Sequence, residues 1–399
     1  MHSILKSMKE GLAGELTDFA VRLIKTPTPS GQEQAAADLV AAEMERLRFD
    51  RVVRDEAGNV VGVLFGRESA PALLLQSHLD TVPAAADSRP DGTVEEGRLY
   101  GRGASDCKGG LAAQVYAGAL LKRSLLPLQG TLVVAATVAE ENGMSHGTRT
   151  LLSRTLPALG LKPQYAILGE PTGLALYYGH DGWMEVDVTV AGANPFQVRD
   201  AAEAILADFS CGRNGGDAQL SIEAPSYHAV RGVQRAVLHM TRRMGESENS
   251  ETVMGQLRRD ATQAAHPSSS VAVEMAVPER ESRLYNGTRM VSRRVTHAWS
   301  IDPYSPLIQR SRESLAAAQG GVRVGKWKLG RLGMGTAGGV FVNEFRIPCI
   351  GYGPGSEDLA HAANESVEIS ALQEATYGTA AIAHGLVGIP VCGWTSDEI

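Results

Sequence analysis

Pro71-Ala-Leu-Leu-Leu-Gln-Ser-His-Leu-Asp-Thr-Val-Pro83 is an apolar run of strand length that ends on an imidazole and a carboxylate two residues apart. In an extended chain, positions i and i+2 face the same side, so His78 and Asp80 would share a face. His78 could then bind a metal while Asp80 accepts its other ring N–H and fixes the tautomer. A histidine simply satisfied at a strand end explains the same residues, so the neighbouring segments have to decide.

Outward from this run, residues 60–65, 131–139 and 165–168 are further apolar segments of strand length, and a Gly-rich helix is expected over 109–122. Strands alternating with helices predict a mostly parallel sheet covered on both faces. Upstream, an amphipathic first helix is broken at Thr26-Pro-Thr-Pro-Ser30, and Ser30 is placed to cap a second helix over 32–48. Beyond Gly179 the texture changes. Trp183-Met-Glu-Val-Asp-Val-Thr-Val190 alternates apolar and polar residues, as in a strand with one wet face. Helices over 199–209 and 250–264 and strands over 236–241 and 270–276 complete an α+β pattern there. Segments 306–318, 348–352 and 371–387 return to the first pattern. The expected fold is α/β: a mixed, mostly parallel sheet flanked by helices over 1–178 and 298–399, with an inserted α+β domain over 179–297.

A chain of 399 residues with 43% hydrophobic and 21% charged residues can bury a core and stay in water, which excludes a disordered chain. A net charge of −7 and unclustered Lys and Arg give no field to attract nucleic acid. Charged residues interrupt the opening helix, so it does not read as a signal peptide, and no apolar stretch reaches the roughly 18 residues of a membrane span. Cys107, Cys211, Cys349 and Cys392 are scattered without CxxC spacing, which points to reduced thiols and the cytoplasm.

Chemistry gathers where the apolar runs end. In Leu99-Tyr-Gly-Arg-Gly-Ala-Ser-Asp106-Cys-Lys-Gly-Gly110, glycines surround one acid ahead of a helix. They would allow close backbone approach, with Asp106 kept ionised at the helix N-terminus. A plain helix cap is the bland alternative; a P-loop is the other, but the GxxxxGK[ST] spacing is absent. Residues 131–139 end on Glu140-Glu141-Asn142, and Tyr165-Ala-Ile-Leu-Gly leads to Glu170. Adjacent acids point to opposite sides, so one could bind a metal while the other serves as a base. Each acid alone reads as a solvated turn, but parallel sheets gather ligands at the carboxyl ends of their strands. The loop Gly351-Tyr-Gly-Pro-Gly-Ser-Glu-Asp-Leu-Ala-His361-Ala-Ala-Asn-Glu365 adds a second imidazole. Two histidines with several carboxylates suit a pair of divalent ions, zinc first and Co2+ or Mn2+ as substitutes.

In this order the motifs SHLDTVP, YGRGASDCKGGLAA, EEN, LGEPT and GPGSEDLAHAANE resemble the M20 metallopeptidase and deacylase family, including its acetylornithine deacetylase and succinyl-diaminopimelate desuccinylase branch. GHDGWMEVDVTV and VTHAW also resemble a hydrolase subgroup linked to selenium metabolism. The resemblance covers almost the whole chain. It implies a zinc-peptidase-like catalytic domain with His78 and Glu170 on one zinc, Glu141 and His361 on the other, and Asp106 bridging them. Glu140 is implied as general base and Asp80 as the partner of His78, with a cis peptide after Asp106. Two cations would bring a bridging water from a pKa of about 15.7 toward about 7, and Glu140 would take its proton as the hydroxide attacks an amide carbonyl. The inserted domain is implied to be a lid that carries a homodimer contact.

The sequence also departs from the family pattern. Relatives carry a histidine after the first lid strand, where this chain reads Val190-Ala-Gly-Ala-Asn194-Pro-Phe196. Losing an oxyanion donor of that kind costs typically about 10²–10³ in turnover. His180, His228, His239 and His266 lie elsewhere in the insertion, where any could substitute in space or serve as a surface or packing histidine, and Asn194 is another candidate donor. Arg243 falls where relatives keep a carboxylate clamp, with a solvated pair of Arg242 and Arg243 as the alternative; Thr336, in Gly-Met-Gly-Thr-Ala-Gly-Gly, is placed to line a substrate pocket. The leading expectation is a di-zinc hydrolase of an N-acyl amino acid, a dipeptide or a related small amide. The alternative is a metal-binding homologue with impaired catalysis. A phosphoesterase is a distant third, because no basic loop faces a phosphate.

Overall fold

The computed structural model describes residues 2–83, 88–211, 220–265, 270–318 and 329–389; His266 and Cys392 lie outside them. The chain divides into two compact units, one of Met1–His180, Ser282–Met290 and Ser300–Ile399, the other of Asp181–Glu281 and Val291–Trp299.

The first unit is built on a mixed sheet. Its strands lie side by side in the order Arg51–Arg54, Val60–Leu64, Thr131–Thr137, Ala72–His78, Tyr165–Leu168, Cys349–Gly351 and Leu176–His180. The four from Thr131–Thr137 to Cys349–Gly351 run parallel. Every residue of Ala72–His78 and of Thr131–Thr137 is buried, so both faces of the sheet are covered, which explains continuous apolar runs rather than alternation. Each of Leu73, Leu74 and Leu75 contributes roughly 1.5–3 kcal/mol by leaving water. The helix Lys108–Ser124 packs against Ile369–Val387 and His2–Lys25. The first helix stops at Lys25, ahead of Pro27 and Pro29.

The second helix is Gln34–Arg46, and the residue at its N-cap is Glu33 rather than the expected Ser30. Ser30 Oγ instead donates to the Asp80 carboxylate at 2.5 Å, a partner that only the folded sheet supplies.

In the second unit an antiparallel sheet runs Leu220–Ile222, Val233–Met244, Gly182–Gly192, Ala272–Ala276. Met184, Val186, Val188 and Val190 alternate inward and meet Ala201 and Ile205 of helix Pro195–Ser210 and Val253 and Leu257 of helix Ser250–Ala264. The segment Ser282–Met290, placed by sequence inside the insertion, counts with the first unit. Leu284 and Met290 are buried in that unit's core, and Tyr285 Oη donates to the Gly58 carbonyl at 2.9 Å. No helix among the described residues is long and apolar enough to cross a membrane.

Candidate metal centre

The four neighbouring parallel strands release their chains at one edge of the sheet. Thr131–Thr137 leads to Glu140 and Glu141, Ala72–His78 ends on His78, Tyr165–Leu168 leads to Glu170, and Cys349–Gly351 leads to the loop that carries His361. Carboxyl edges of parallel strands are where α/β proteins assemble ligand sites. Asp106 arrives from the loop before helix Lys108–Ser124. That helix starts against the strand exit because Gly110 has no side chain: a Cβ there would strike the Gly169 carbonyl, one residue before Glu170. The Asp106–Cys107 peptide is cis.

Asp106 stands at the middle of the cluster. Its Oδ1 lies 3.2 Å from His78 Nε2 and its Oδ2 3.1 Å from His361 Nε2. His361 Nε2 is also 3.2 Å from Glu141 Oε1. Two groups with ligand atoms within 4.8 Å of one another could each hold a metal ion: His78, Asp106, Cys107 and Glu170, and Asp106, Glu141 and His361. Asp106 is common to both. His78, Asp106 and Glu170 are buried, whereas Glu140 and Glu141 are half-buried and His361 is exposed.

The supporting contacts differ from the sequence expectation at Asp80. The nearer partner of His78 Nδ1 is the Asp80 backbone carbonyl at 2.8 Å, with the carboxylate at 3.6 Å. The carboxylate instead accepts the amides of Glu140 and Glu141, each at 3.0 Å. The expected pair is present as an ion pair at 3.6 Å, while the shorter contact goes to the backbone carbonyl because the strand ends at His78.

Glu365, quoted in the sequence only as part of a loop, accepts the amides of Ser105 and Asp106 at 2.9 Å and pairs with Arg102 at 2.8 Å. Ser105 Oγ donates to the Ser356 carbonyl and accepts the Ser356 amide, at 2.9 and 2.7 Å. These contacts tie the Asp106 loop to the His361 loop. The only sequence signal for Glu365 is its place four residues after His361.

Burial raises the Asp106 carboxyl, but hydrogen bonds from His361 and His78 outweigh it and hold the group well below the usual carboxylate range. Burial, reinforced by the Asp106 charge, pushes Glu170 up to about 8. Glu140 and Glu141 are raised first by burial, with their acidic neighbours adding to it. Hydrogen bonds to Asp106 and Glu141 carry His361 up to about 10. Burial and the Glu170 charge keep Cys107 a neutral thiol, and its Sγ donates to the Gly169 carbonyl at 3.1 Å, so it is a poor ligand. Glu170 Oε1 is buried and lacks a hydrogen-bond partner among the described residues. A cluster of acids in excess over imidazoles, with a buried oxygen left unpaired, fits divalent cations and suits no neutral ligand.

Each residue singled out for substrate belongs to one of the two units. Asn194 Oδ1 accepts the Phe196 amide at 2.9 Å and caps helix Pro195–Ser210, which already explains its side chain. Arg243 is exposed on strand Val233–Met244 of the second unit. Thr336 is buried in the first unit, with its amide donating to His180 Nε2 at 2.9 Å. His180 is thus a buried residue of the first unit, His239 pairs with Asp187 at 2.6 Å, and His228 is exposed.

Residues 74–384 match the peptidase family M20/M25/M40. The LysW-lysine hydrolase of Deinococcus radiodurans is 29% identical over 350 residues, covering 87% of this chain and 90% of its own. The succinyl-diaminopimelate desuccinylase of Corynebacterium glutamicum is 33% identical over 193 residues, 47% of this chain and 50% of its own. Among solved structures, the di-peptidase Dug1p of Saccharomyces cerevisiae superimposes with a TM-score of 0.75 at 12% identity, over 97% of this chain and 98% of that one. The YXEP protein of Bacillus subtilis, described as a dinuclear metal-binding peptidase, gives 0.69 at 17%, over 94% and 98%. These two show a shared fold. The chain belongs to peptidase family M20/M25/M40, and its class of activity is that of a metal-dependent amidohydrolase.

Proposed function

We propose that this member of the family hydrolyses the amide bond of a small N-acyl amino acid, dipeptide or related amide, with two divalent cations, zinc first, held by His78, Asp106, Glu141, Glu170 and His361. The observation that carries the reading is Asp106, whose two carboxylate oxygens face one imidazole each, His78 at 3.2 Å and His361 at 3.1 Å. His78 and Glu170 would serve one cation, Glu141 and His361 the other, with Asp106 shared. When bound, the cations would acidify water and polarise the amide carbonyl.

Glu140 is the remaining acid of the cluster, half-buried and absent from both ligand groups. Its place beside both ligand groups, outside either, suits Glu140 to take a proton from the attacking water and return it to the leaving nitrogen. Asp80 fixes both Glu140 and Glu141 through their amides. Relatives named for releasing lysine or a succinyl group support an acylated amino acid as substrate. We assign the second unit the part of lid and homodimer contact; sedimentation at twice 42.3 kDa checks the dimer. Cys107 and Cys349, buried free thiols, fit a reducing compartment such as the cytoplasm.

The test is turnover of a panel of N-acyl amino acids and dipeptides with zinc or cobalt added, for wild type and Glu140→Gln, beside elemental analysis of both. Two metals per chain in each, with turnover reduced about 10²–10⁴-fold in the variant, is the expected result. A second reading, a metal-binding homologue with impaired catalysis, is favoured by position 196, where a phenylalanine stands in place of the relatives' histidine, while Asn194 caps its own helix. Two bound metals without turnover of any panel member would establish that reading instead.

A further inference from the structure

Val138, Ala139, Glu140 and Glu141 present four consecutive backbone donors where the chain leaves the strand Thr131–Thr137. Each is accepted by a side-chain oxygen from another part of the chain: Asn59 Oδ1 at 3.0 Å, Glu33 Oε1 at 3.1 Å, and the two oxygens of Asp80 at 3.0 Å each. Ala139 sits at φ 54°, in the left-handed region that residues with a Cβ avoid. That conformation turns the chain out of the sheet and aims Glu140, while Glu141 is held by its own amide on Asp80 and by His361. It persists only if the surroundings over-determine it.

Glu33 is the least expected member of this cradle. It is fully buried and comes from the turn ahead of the second helix. Its Oε1 accepts the amides of Gly31 and Ala139, while Oε2 lacks a hydrogen-bond partner among the described residues. A buried carboxylate with one idle oxygen is a cost that a core without further duties would shed. Burial and the charge of Asp80 push the group up to about 7, so the neutral form is readily populated, and an acceptor oxygen rather than a charge is what the site uses.

We propose that Glu33 is a positioning residue, holding the left-handed Ala139 amide so that Glu140 keeps its aim. The inference rests on Glu140 being the base. A glutamine should serve in its place, because the amide carbonyl can keep both bonds and the NH2 group would occupy the side now left idle. An alanine or an aspartate should not, since neither reaches the Ala139 amide.

The experiment compares Glu33→Gln, Glu33→Ala and Glu33→Asp in the full chain. Zinc-loaded protein gives kcat, KM and metal content; metal-free protein gives amide hydrogen exchange at 139–141. For Glu33→Ala and Glu33→Asp, kcat should fall roughly 10–100-fold, the size typical of a displaced catalytic group, with KM and metal content unchanged and faster exchange at Ala139. Glu33→Gln should match wild type in all four. Wild-type kcat in Glu33→Ala, or loss of metal in step with kcat, would overturn the proposal. So would a Glu33→Gln as impaired as Glu33→Asp, a comparison that holds even if the alanine variant does not fold. Full activity in Glu140→Gln would sink the base assignment separately, while the exchange data would still report whether Glu33 holds the amide.

Discussion

Asp106 meets two imidazoles at nearly equal distances, but those imidazoles live in different surroundings. His78 is 1% exposed, with Nδ1 on the Asp80 carbonyl, whereas the His361 side chain is 42% exposed and meets Asp106 and Glu141 through Nε2. Removing each should therefore have separable effects. His361→Ala takes away one ligand whose side chain is partly in water, where its ion pairs with Asp106 and Glu141 are screened. Metal content should drop from two to one per chain in elemental analysis at limiting zinc, turnover should collapse, and the metal-free melting temperature should fall less than in His78→Ala, because the His361 pairs are screened by water. His78→Ala leaves the Asp80 carbonyl and an Asp106 oxygen without their buried partner, at about 1–3 kcal/mol per orphaned group. It should lose metal and also melt several degrees lower. Equal melting temperatures for the two metal-free variants would contradict the difference in burial.

At the scale of elements, the approach of helix Lys108–Ser124 to the strand exit is set by Gly110. In Gly110→Ala the new methyl would meet the Gly169 carbonyl, so helix or strand must shift, and overpacking of this kind costs typically about 1–3 kcal/mol. The shift falls one residue from Glu170, so zinc affinity by calorimetry should weaken along with the melting temperature. Unchanged affinity at lowered stability would mean that the strand end absorbs no strain.

Much of this arrangement was legible in the sequence. Strands buried on both faces leave continuous apolar runs, and an acid or imidazole that interrupts such a run must sit at its end, which located His78, Glu140, Glu141 and Glu170. Strands without that signature were not legible. Ser226–Val230 is exposed along its whole length and Arg51–Arg54 is bounded by arginines, so neither carries a usable period. Partners distant in sequence were equally hidden. Ser30, Glu33 and Glu365 act on residues 50, 106 and 259 positions away, and only the folded sheet brings them there. The return of Ser282–Met290 to the first unit rests on two buried side chains, Leu284 and Met290, within an otherwise polar segment.

For the whole molecule, the centre couples stability to metal and to pH in a direction that can be worked out. Without cations, Glu170 is pushed up to about 8 from an ordinary 4.5, so between those values the folded state binds a proton that the unfolded chain has released. That contribution is fully present below about 4.5 and is lost as pH rises through about 8. His361, carried from an ordinary 6.5 up to about 10 by Asp106 and Glu141, acts in the same sense: its contribution is complete below 6.5 and disappears as pH climbs through about 10. Metal-free protein should thus lose stability steadily between about pH 5.5 and about pH 8.5. Cations replace those protons and bind better as pH rises, because ligands must be deprotonated to hold them. Zinc at a thousand times its dissociation constant adds about 4.1 kcal/mol through binding to the folded state alone. Thermal melts with zinc and with chelator at acid, neutral and alkaline pH should then diverge: the gap in melting temperature is smallest at the acid end and widest at the alkaline end. A gap that stays constant, or narrows as pH rises, would mean that Glu170 and His361 do not exchange protons for metal.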